Sequence, residues 1–583
     1  MLKKLLFLTT YTLALTTCTL QAQDWQWIQR GGSYTNFVNN LQYFEAVIDI
    51  KIDSDNNSYI LSSIGHSQPD IAGNPVNFYG SNTANPDFVL ASFSCDGTFR
   101  WSKTLGGNNR ETIESIGIDA NDNIYIAGQF LTCILNNPYA PHIDEDFIFD
   151  QSTTPLDCRM TFITKYDKDG NFQWVQRPSP VGGNTNDMGS MNIVTTPNGT
   201  SHWLVVIDAP GTYAGSLNYP GGENGIFIFK YDTDGNFIEA IPLNIDVSDG
   251  GLVANMKLYI NPNNGYYYLT SRETTSSGES LSIQGQTLTG TSYIACFNTT
   301  GTLQYMIQNT TATHSLNIHS IIFDDQNNMY IDAQMSGDNL DTFMGITIPE
   351  FMGPDVIIKT DAATASNVFW YTYANQGANG SGSLVYDHNQ NVLVYTGRIQ
   401  GAVPYTWGSQ TVYPSSYNGS RPMMATFNPS NGDCNAIHYI NGQSSVPANA
   451  RVLAIDNSGD YVMGGDFSGY LYDTNGNSIY SVGGNRDFFL TKFSTQACTP
   501  LSTQNNQAIN LQPYPNPTFN NINVPVTQQT SYALYNIQGA LLQQGTLNTN
   551  NQSVPLNNYP AGMYLLTLTT ANGQSQTHKI IKQ

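Results

Sequence analysis

Charge is scarce in this chain, and positive charge is scarcest. Only 11% of the 583 residues are charged, and 22 Lys and Arg stand against 44 Asp and Glu, a formal net charge of −22. Such a surface repels phosphate backbones and anionic headgroups, so we expect no nucleic-acid partner and no anionic membrane surface. With 40% hydrophobic and 12% aromatic residues, the chain still has the composition of a folded protein.

Long hydrophobic runs are also missing. The apolar stretch 5–15 follows Lys3 and Lys4 and is too short to cross a bilayer, which is typical of a signal peptide. We predict a signal peptide over residues 1–22 with cleavage after Ala22; the alternative is a lipid-attachment site at Cys18. We expect no membrane insertion after signal cleavage, because no later segment is long and apolar enough.

The cysteines show no paired Cys-x-x-Cys motif of the kind that binds zinc. Cys133 and Cys158 bracket one long insertion, and a disulfide between them would stabilise the fold by roughly 3 kcal/mol in the chain-entropy model. We therefore predict this disulfide in the exported protein. The pairing of the other four cysteines stays open: Cys95, Cys296, Cys434 and Cys498.

What the chain does have is a unit that recurs seven times. Each unit opens with two strands of alternating apolar residues around a polar turn and closes with a second strand pair around a Gly turn. No helical periodicity longer than two turns interrupts residues 24–500, so we predict an all-β fold. The opening turns lie 63–77 residues apart, by subtraction of their first positions: Asp53, Asp119, Thr196, Asn261, Asp324, Asp387 and Asp456.

The repeat begins out of register. The seventh unit stops after its third strand at DFFLTKFST (487–495), while WQWIQR (25–30) nearly repeats FQWVQR (172–177), the last strand of the second unit. A chain that starts with the strand its last unit lacks is built to close a ring. We predict a seven-bladed β-propeller over residues 23–500, closed by the N-terminal strand. Insertions between the second and third strands would then project from one face, the expected binding face.

The repeat resembles that of secreted bacterial β-propeller proteins (SBBP-like repeats). This resemblance implies a propeller fold and little about function. The matching residues are Asp119, Asn123, Tyr125 and Gly128 in the first half, and Asp169, Gly170 and Trp174 in the second.

The composition changes after residue 500. A polar linker (501–510) leads to short strands over residues 511–583, which predict a small immunoglobulin-like β-sandwich. This tail resembles the type A C-terminal sorting domain of the type IX secretion system. The resemblance implies a Bacteroidetes-type cell, recognition by the export machinery and a secreted or outer-surface location. The matching residues are Tyr514, Pro515, Asn516, Pro517, Tyr535, Gly539, Gly562, Tyr564, Lys579 and Lys582.

Motifs for metals and cofactors are weak or missing. Asp167, Asp169 and Asn171 have the spacing of an EF-hand start, but Pro178 occupies the position of the bidentate Glu. These residues are better explained as a hairpin turn, so we expect no cofactor, with structural calcium as the alternative. No His-Glu-x-x-His, phosphate-loop or dinucleotide motif occurs.

The leading functional hypothesis is a non-enzymatic surface or secreted binding or adhesion module for a polysaccharide or another cell-surface ligand. A secreted carbohydrate-active enzyme, hydrolase or lyase, stays an alternative, because a spatial carboxylate pair leaves no mark in sequence. A structural cell-surface component is the third. Aromatic residues of the insertions are candidates for stacking on sugars: Tyr139, Tyr219, Tyr405, Trp407 and Tyr413.

Overall fold

The fold is all β in the part of the chain that the computed structural model describes. It describes residues 23–34, 45–80, 85–107, 111–131, 140–149, 159–178, 188–222, 225–247, 256–272, 281–309, 316–335, 342–346, 354–376, 382–401, 403–414, 419–443, 446–474, 476–483, 486–495, 498, 511–526, 529–549, 551–570 and 575–583. These residues contain no α-helix and hence no helix that could span a membrane. The chain divides into two compact bodies, residues 1–498 and 499–583.

The first body begins with β1 (Asp24–Gly32), and the repeated units follow. The first and second units contain β2 (Val47–Ile52), β3 (Ser58–Ile64), β4 (Asp70–Ile71), β5 (Asn74–Pro75), β6 (Asp87–Phe93), β7 (Phe99–Gly106), β8 (Glu111–Ile118), β9 (Ile124–Leu131), β10 (His142–Ile143), β11 (Phe147–Ile148), β12 (Arg159–Tyr166) and β13 (Phe172–Gln176). The third and fourth contain β14 (Met188–Thr195), β15 (Ser201–Ile207), β16 (Gly211–Tyr213), β17 (Leu217–Tyr219), β18 (Gly225–Tyr231), β19 (Phe237–Pro242), β20 (Ile245–Val247), β21 (Lys257–Ile260), β22 (Tyr267–Arg272), β23 (Leu281–Ile283), β24 (Gln286–Thr287), β25 (Ser292–Phe297) and β26 (Leu303–Gln308).

The remaining units of the first body follow the same plan. They contain β27 (Leu316–Phe323), β28 (Asn328–Met335), β29 (Asp355–Asp361), β30 (Val368–Tyr373), β31 (Ser383–Asp387), β32 (Val392–Gln400), β33 (Tyr405–Trp407), β34 (Gln410–Val412), β35 (Ser420–Phe427), β36 (Cys434–Tyr439), β37 (Asn441–Gly442), β38 (Ala448–Ile455), β39 (Tyr461–Phe467), β40 (Tyr470–Tyr472), β41 (Ser478–Tyr480) and β42 (Asp487–Ser494). The second body contains β43 (Asn521–Asn523), β44 (Thr530–Asn536), β45 (Leu541–Leu547), β46 (Ser553–Pro555), β47 (Gly562–Thr570) and β48 (Ser575–Lys582).

Seven antiparallel sheets of at least four strands run through the described residues of the first body. Sheets 1 to 6 follow chain order, as β2-β3-β6-β7, β8-β9-β12-β13, β14-β15-β18-β19, β21-β22-β25-β26, β27-β28-β29-β30 and β31-β32-β35-β36. Sheet 7 has the order β38-β39-β42-β1, so the front of the chain supplies its fourth strand. First strands of neighbouring sheets touch: β2 lies against both β8 and β38, and β14 lies against both β8 and β21.

Three of the seven opening turns, at Asp53, Asp119 and Asp324, owe their Asp to a buried hydrogen-bond network. Asp53 Oδ1 accepts from the backbone N–H of Asp55 (2.9 Å) and Asn57 (2.7 Å). Its Oδ2 accepts from Asn57 Nδ2 (2.8 Å) and the Tyr59 hydroxyl (2.7 Å). Asp119 and Asp324 do the same. The spacing Asp-x₃-Asn-x-Tyr therefore satisfies a buried carboxylate from within one hairpin.

The Gly of the closing turn makes room for a Trp of the preceding sheet. Each of these Gly residues has a positive φ, and a Cβ added to it would approach the indole to 2.5–2.8 Å. The indole N–H donates to a backbone carbonyl of the same turn at 3.1–3.3 Å. Glycine is thus needed twice, for its backbone angle and for the missing Cβ. The pairs are Trp27 with Gly97, Trp101 with Gly170, Trp174 with Gly235 and Trp370 with Gly432.

The insertions between second and third strands do not simply project; they dock on the outer edge of the preceding sheet. Thus β4 pairs with β1, β10 with β7, β23 with β20 and β40 with β37, each at or directly after an outer strand. Every insertion also contributes a fully buried apolar side chain, each worth roughly 1.5–3 kcal/mol of transfer free energy. These side chains are Ile71, Ile143, Tyr213, Ile283, Phe343, Trp407 and Leu471.

A disulfide joins Cys95, in the turn between β6 and β7, to Cys498 at the end of the first body. Cys296 and Cys434 are buried free thiols. The predicted partners Cys133 and Cys158 lie outside the described residues, so their disulfide stays a prediction.

The second body has two sheets, β43-β46 and β45-β44-β47-β48, around one apolar cluster. Tyr564 is 5% exposed and donates its hydroxyl proton to the Pro560 carbonyl at 2.7 Å, as in the tyrosine corner of immunoglobulin-like sandwiches. Gly539 supplies the positive φ of the turn between β44 and β45, and Gly562 begins β47.

Candidate functional site

The first strands of all seven four-stranded sheets line one cavity of about 770 Å³. They are β2, β8, β14, β21, β27, β31 and β38. The cavity is the place where residues far apart in sequence come together, and it falls in the size range of small-molecule sites. It is therefore the first candidate for a ligand site in the described part of the chain.

β-Bulges turn polar side chains into this cavity. The pairing of first and second strands shifts register within β2, β8, β14, β27 and β38. A bulge bends its strand and re-aims the extra residue, and bulges recur next to active sites. The residues at these shifts that line the cavity are Ile48, Glu114, Ser115, Asn192, His319 and Arg451, and all but Ile48 are polar.

A second set of polar side chains ties neighbouring sheets together at the bulges. Each side chain accepts a backbone N–H of the next first strand, and the N–H groups of Ile116 and Ile193 lie at bulges. The pairs are Asp49 with Ile116 N (2.9 Å), Ser115 with Ile193 N (2.9 Å), Asn192 with Leu258 N (2.8 Å) and Ser320 with Leu384 N (3.1 Å). These four side chains serve the scaffold.

The acids on β8 are partly neutralised by their surroundings. Burial raises the pKa of Glu114, and nearby Lys257 offsets this in part. Burial and the neighbouring carboxylate of Asp87 raise the pKa of Glu111 well above its usual range. Both groups therefore hold a proton to a higher pH than an exposed Glu does.

Basic side chains lie in the cavity wall. His319 Nδ1 lies 3.7 Å from Oδ1 of the fully buried Asp332. Burial lowers the pKa of His319, but the Asp332 carboxylate outweighs this and the pKa is raised. Lys257 is exposed in the wall, and Arg451 Nε donates to Asp466 Oδ1 at 2.5 Å. The wall thus offers cationic donors in a chain that is strongly acidic overall.

Two of the aromatic residues proposed for sugar stacking were wrong candidates. Tyr405 and Trp407 are fully buried, because their insertion docks on sheet 5, where Trp407 bridges to Ala374. Tyr219 is partly buried, and Tyr413 is 73% exposed. Tyr139 lies outside the described residues.

The acidic turn proposed as the calcium alternative is a hydrogen-bonded hairpin. Asp167 Oδ1 accepts from the backbone N–H of Asp169 (3.0 Å) and Asn171 (2.9 Å). Its Oδ2 accepts from Asn171 Nδ2 at 2.9 Å. No group of three or more His, Cys, Asp or Glu side chains suited to a metal ion occurs among the described residues.

In the second body, the sorting-signal residues of the first segment lie beside those of the last strand. Asn516 Nδ2 donates to the Lys579 carbonyl (2.7 Å), and its Oδ1 accepts from Ile581 N (2.8 Å). Thr518 bridges to Lys582 in parallel. Tyr514 to Pro517 therefore lie beside the last strand, and Tyr514 is 56% exposed.

Sequence reasoning missed the cavity residues, although a signal was present. Counting four residues back from each opening turn reaches the same place in every unit. These positions are Asp49, Ser115, Asn192, Lys257, Ser320, Ser383 and Val452. Six of the seven are polar, within strands that are otherwise rich in apolar residues.

Three comparisons with known proteins bear on this arrangement. Residues 512–583 match the family model of the secretion system C-terminal sorting domain. No curated protein matches the chain. Solved structures are similar at low identity. The extracellular domain of a putative hybrid two-component system from B. thetaiotaomicron is 11% identical, with a TM-score of 0.16, 95% of this chain and 99% of that chain covered.

Two further solved structures show the same low similarity. The WD40 domain of SCAP from fission yeast is 7% identical with a TM-score of 0.31, covering 80% of this chain and 97% of that chain. Prolyl oligopeptidase B from Galerina marginata is 6% identical with a TM-score of 0.33, covering 74% of this chain but only 48% of the enzyme. Likeness at this level carries no functional argument. The sorting domain, in contrast, marks this chain as a protein that the type IX secretion machinery exports to the outer surface or the medium.

Proposed function

We propose that the seven sheets are blades of a closed seven-bladed β-propeller, and that this exported protein is a non-enzymatic binding module with its ligand in the central cavity. Support for closure comes from β1 in sheet 7 and from the packing of β2 against β38. A cavity lined by the first strand of every sheet is the central channel of such a ring.

One observation carries the binding role: the cavity wall combines a rigid scaffold with charged side chains from three different sheets. The bulge side chains clamp neighbouring sheets, which holds the wall in place before a ligand arrives. Lys257, Arg451 and Glu114 add donors and acceptors at three points of the circumference. A preorganised wall with few convergent polar groups favours recognition of a small polar ligand, such as the end of a glycan.

A glycan-array screen with a matched pair of lysine variants tests this role. Lys257→Gln changes the cavity wall, whereas Lys230→Gln changes a surface lysine that pairs with Glu239 at 2.7 Å. We expect the Lys230 variant to keep the array signal and the Lys257 variant to lose about tenfold in affinity, the scale of a charge-assisted hydrogen bond. An array without signal, or equal loss in both variants, would contradict the proposal.

The second candidate is a carbohydrate-active enzyme, and the two acids on β8 with raised pKa values favour it. A carboxylic acid held neutral by burial can donate a proton to a glycosidic oxygen. Glu111 and Glu114 have raised pKa values and line the same cavity. Release of reducing ends from any polysaccharide, abolished by Glu111→Gln or Glu114→Gln and kept by Glu239→Gln, would replace the binding role with catalysis.

A further inference from the structure

Three arginines from sheets 6 and 7 lie near one another. Arg398 lies on β32, Arg451 on β38, and Arg486 directly before β42. Lys and Arg number only 22 in the whole chain, whose net charge is −22. A local concentration of positive charge therefore stands against the overall composition.

One buried carboxylate is shared by two of the three arginines. Asp466 is fully buried and accepts from Arg451 Nε (2.5 Å) and Arg486 Nη1 (3.1 Å). Asn449 Nδ2 donates to it as well, at 2.9 Å. Asp466 is therefore already engaged by three donors, and its charge is divided between two guanidinium groups.

Arg398 faces neutral amides. Its Nη1 donates to Asn449 Oδ1 at 3.2 Å, and its Nη2 lies 3.5 Å from Gln400 Oε1. Its Nε is buried with no hydrogen-bond acceptor among the described residues. A buried donor without an acceptor costs about 1–3 kcal/mol, so the described residues leave this guanidinium incompletely satisfied.

The electrostatics agree with this geometry. Burial lowers the pKa of Arg398, as do Arg486 and Arg451, and the carboxylates of Asp466 and Asp355 offset this only in part. Arginine stays protonated in proteins, so the positive charge around Arg398 is compensated only in part by these two carboxylates. An added anion would relieve this imbalance more effectively here than on the exposed surface.

Arg398 also lines a second cavity, of about 260 Å³. Gln400 and Ser420 add polar groups to its wall, which Gly401, Gly419 and Pro447 also line. The volume accommodates a carboxylate or sulfate together with part of the molecule that carries it. Arginine presents its N–H groups in a fork that matches both anions.

We propose that this second cavity is an anion-binding site in which Arg398 pairs with a carboxylate or sulfate. The ligand class is an acidic saccharide, uronic or sulfated, and free inorganic sulfate shares the same chemistry. The site is separate from the central cavity, so it stands or falls independently of the proposed function.

Anion-dependent thermal shifts of the full chain at constant ionic strength test the site. We expect sodium sulfate and sodium galacturonate to raise the melting temperature relative to sodium chloride. Arg398→Gln should weaken the apparent affinity tenfold or more, whereas Arg159→Gln, which removes a half-exposed pair with Asp208 (3.1 Å), should keep it. A response to galacturonate without sulfate identifies a saccharide carboxylate, and a response to both identifies a general anion site. No response to either anion, or equal loss in both variants, overturns the proposal.

Gln400→Glu tests the same idea without removing an arginine. Gln400 is exposed and its side-chain oxygen already lies 3.5 Å from Arg398. A carboxylate there acts as a built-in anion, so this variant should melt higher than the parent in chloride and lose most of its response to sulfate. A variant that melts lower, or that keeps the full sulfate response, contradicts an anion site at Arg398.

Discussion

Sheet 2 and sheet 7 have the same strand order but are assembled differently. Sheet 2 is built from one continuous stretch, β8 to β13, and its outer pair is joined by a short turn at Asp167. Sheet 7 joins β42 to β1, where Asp24 pairs with Ser494 across a separation of 494 − 24 = 470 residues. Closing a loop of that length costs about 4 kcal/mol more than closing a hairpin of a few residues, from (3/2)RT ln n.

The junction between β1 and β42, which we call the seam, has side-chain contacts that offset this cost. Arg30 pairs with Asp487 (2.6 Å) and with Asp70, which joins β1 to β42 and to the insertion of the first unit. Gln29 and Trp27 donate to carbonyls of the closing turn in sheet 1. The Cys95–Cys498 disulfide covers the same turn. In sheet 2, chain connectivity supplies what these contacts supply in sheet 7.

Deleting residues 24–32 should have the largest effect. It removes a fourth strand and exposes the buried side chains of β42, so we expect the first body to lose cooperative unfolding or to melt more than about 10 °C lower. Circular dichroism melting measures this. A synthetic peptide of residues 23–34 added in trans should restore part of the loss. An unchanged melting curve would refute the role of β1 in closure.

Removing the disulfide should have the next largest effect. Because it closes a loop of 403 residues by sequence separation, Cys95→Ser with Cys498→Ser should cost up to about 5 kcal/mol, the upper end of the range for native disulfides. Denaturant unfolding with and without reductant measures it. A parent protein as stable in reductant as without it would contradict the expectation. Any reductant effect left in the double variant reports on Cys133 and Cys158.

The seam could be read from the sequence because it repeats a local pattern. WQWIQR matches FQWVQR, so the displaced strand can be recognised from the sequence without any knowledge of tertiary structure. The opening turns could be predicted equally well, since a single hairpin contains the hydrogen-bond donors to the carboxylates of Asp53, Asp119 and Asp324. Features that leave a recognisable pattern in a short stretch of sequence could therefore be predicted.

The docked insertions and the cavity could not be predicted from the sequence, because they depend on contacts between different units. Burial of Tyr405 and Trp407 depends on residues of another unit, and nothing local distinguishes them from the exposed Tyr413. A partial signal does exist in tight turns with positive φ within the insertions: Ala72-Gly73, Ala214-Gly215, Gln284-Gly285 and Met344-Gly345. They mark hairpins, but not the sheet on which each hairpin lies.

Substituting two glycines near the seam distinguishes the effect of a positive φ from the effect of packing against Trp27. Gly97 has a φ of 83°, and a Cβ added to it would lie 2.6 Å from Trp27. Gly476 has a φ of 85°, but a Cβ added to it would have no atom of another residue within 4 Å, its chain neighbours aside. Gly476→Ala should cost about 1 kcal/mol for the positive φ. Gly97→Ala should cost about 1–3 kcal/mol more, because Trp27 must move. Chemical denaturation compares them, and equal losses would show that Trp27 does not depend on Gly97.

The smallest expected effect is a pH dependence confined to the seam. Burial, with the nearby charge of Asp487, raises the pKa of Glu45 to about 8, and burial raises that of Asp487 to about 7. A folded pKa above the unfolded value means that the folded state binds more protons between about pH 4.5 and 8. The free energy of unfolding should therefore be highest near the acid end of this window and fall as pH rises through 7 to 8, by on the order of 1–3 kcal/mol. Asp487→Asn removes one titrating group and the charge facing Glu45 and should reduce this slope, although burial keeps the pKa of Glu45 raised. Asp169→Asn, a change at an exposed turn, should leave the slope unchanged. Urea unfolding at pH 5, 6.5 and 8 gives the slopes. A parent protein that gains stability from pH 5 to 8, or a slope that is unchanged in Asp487→Asn, would place the titrating groups elsewhere than at the junction of β1 and β42.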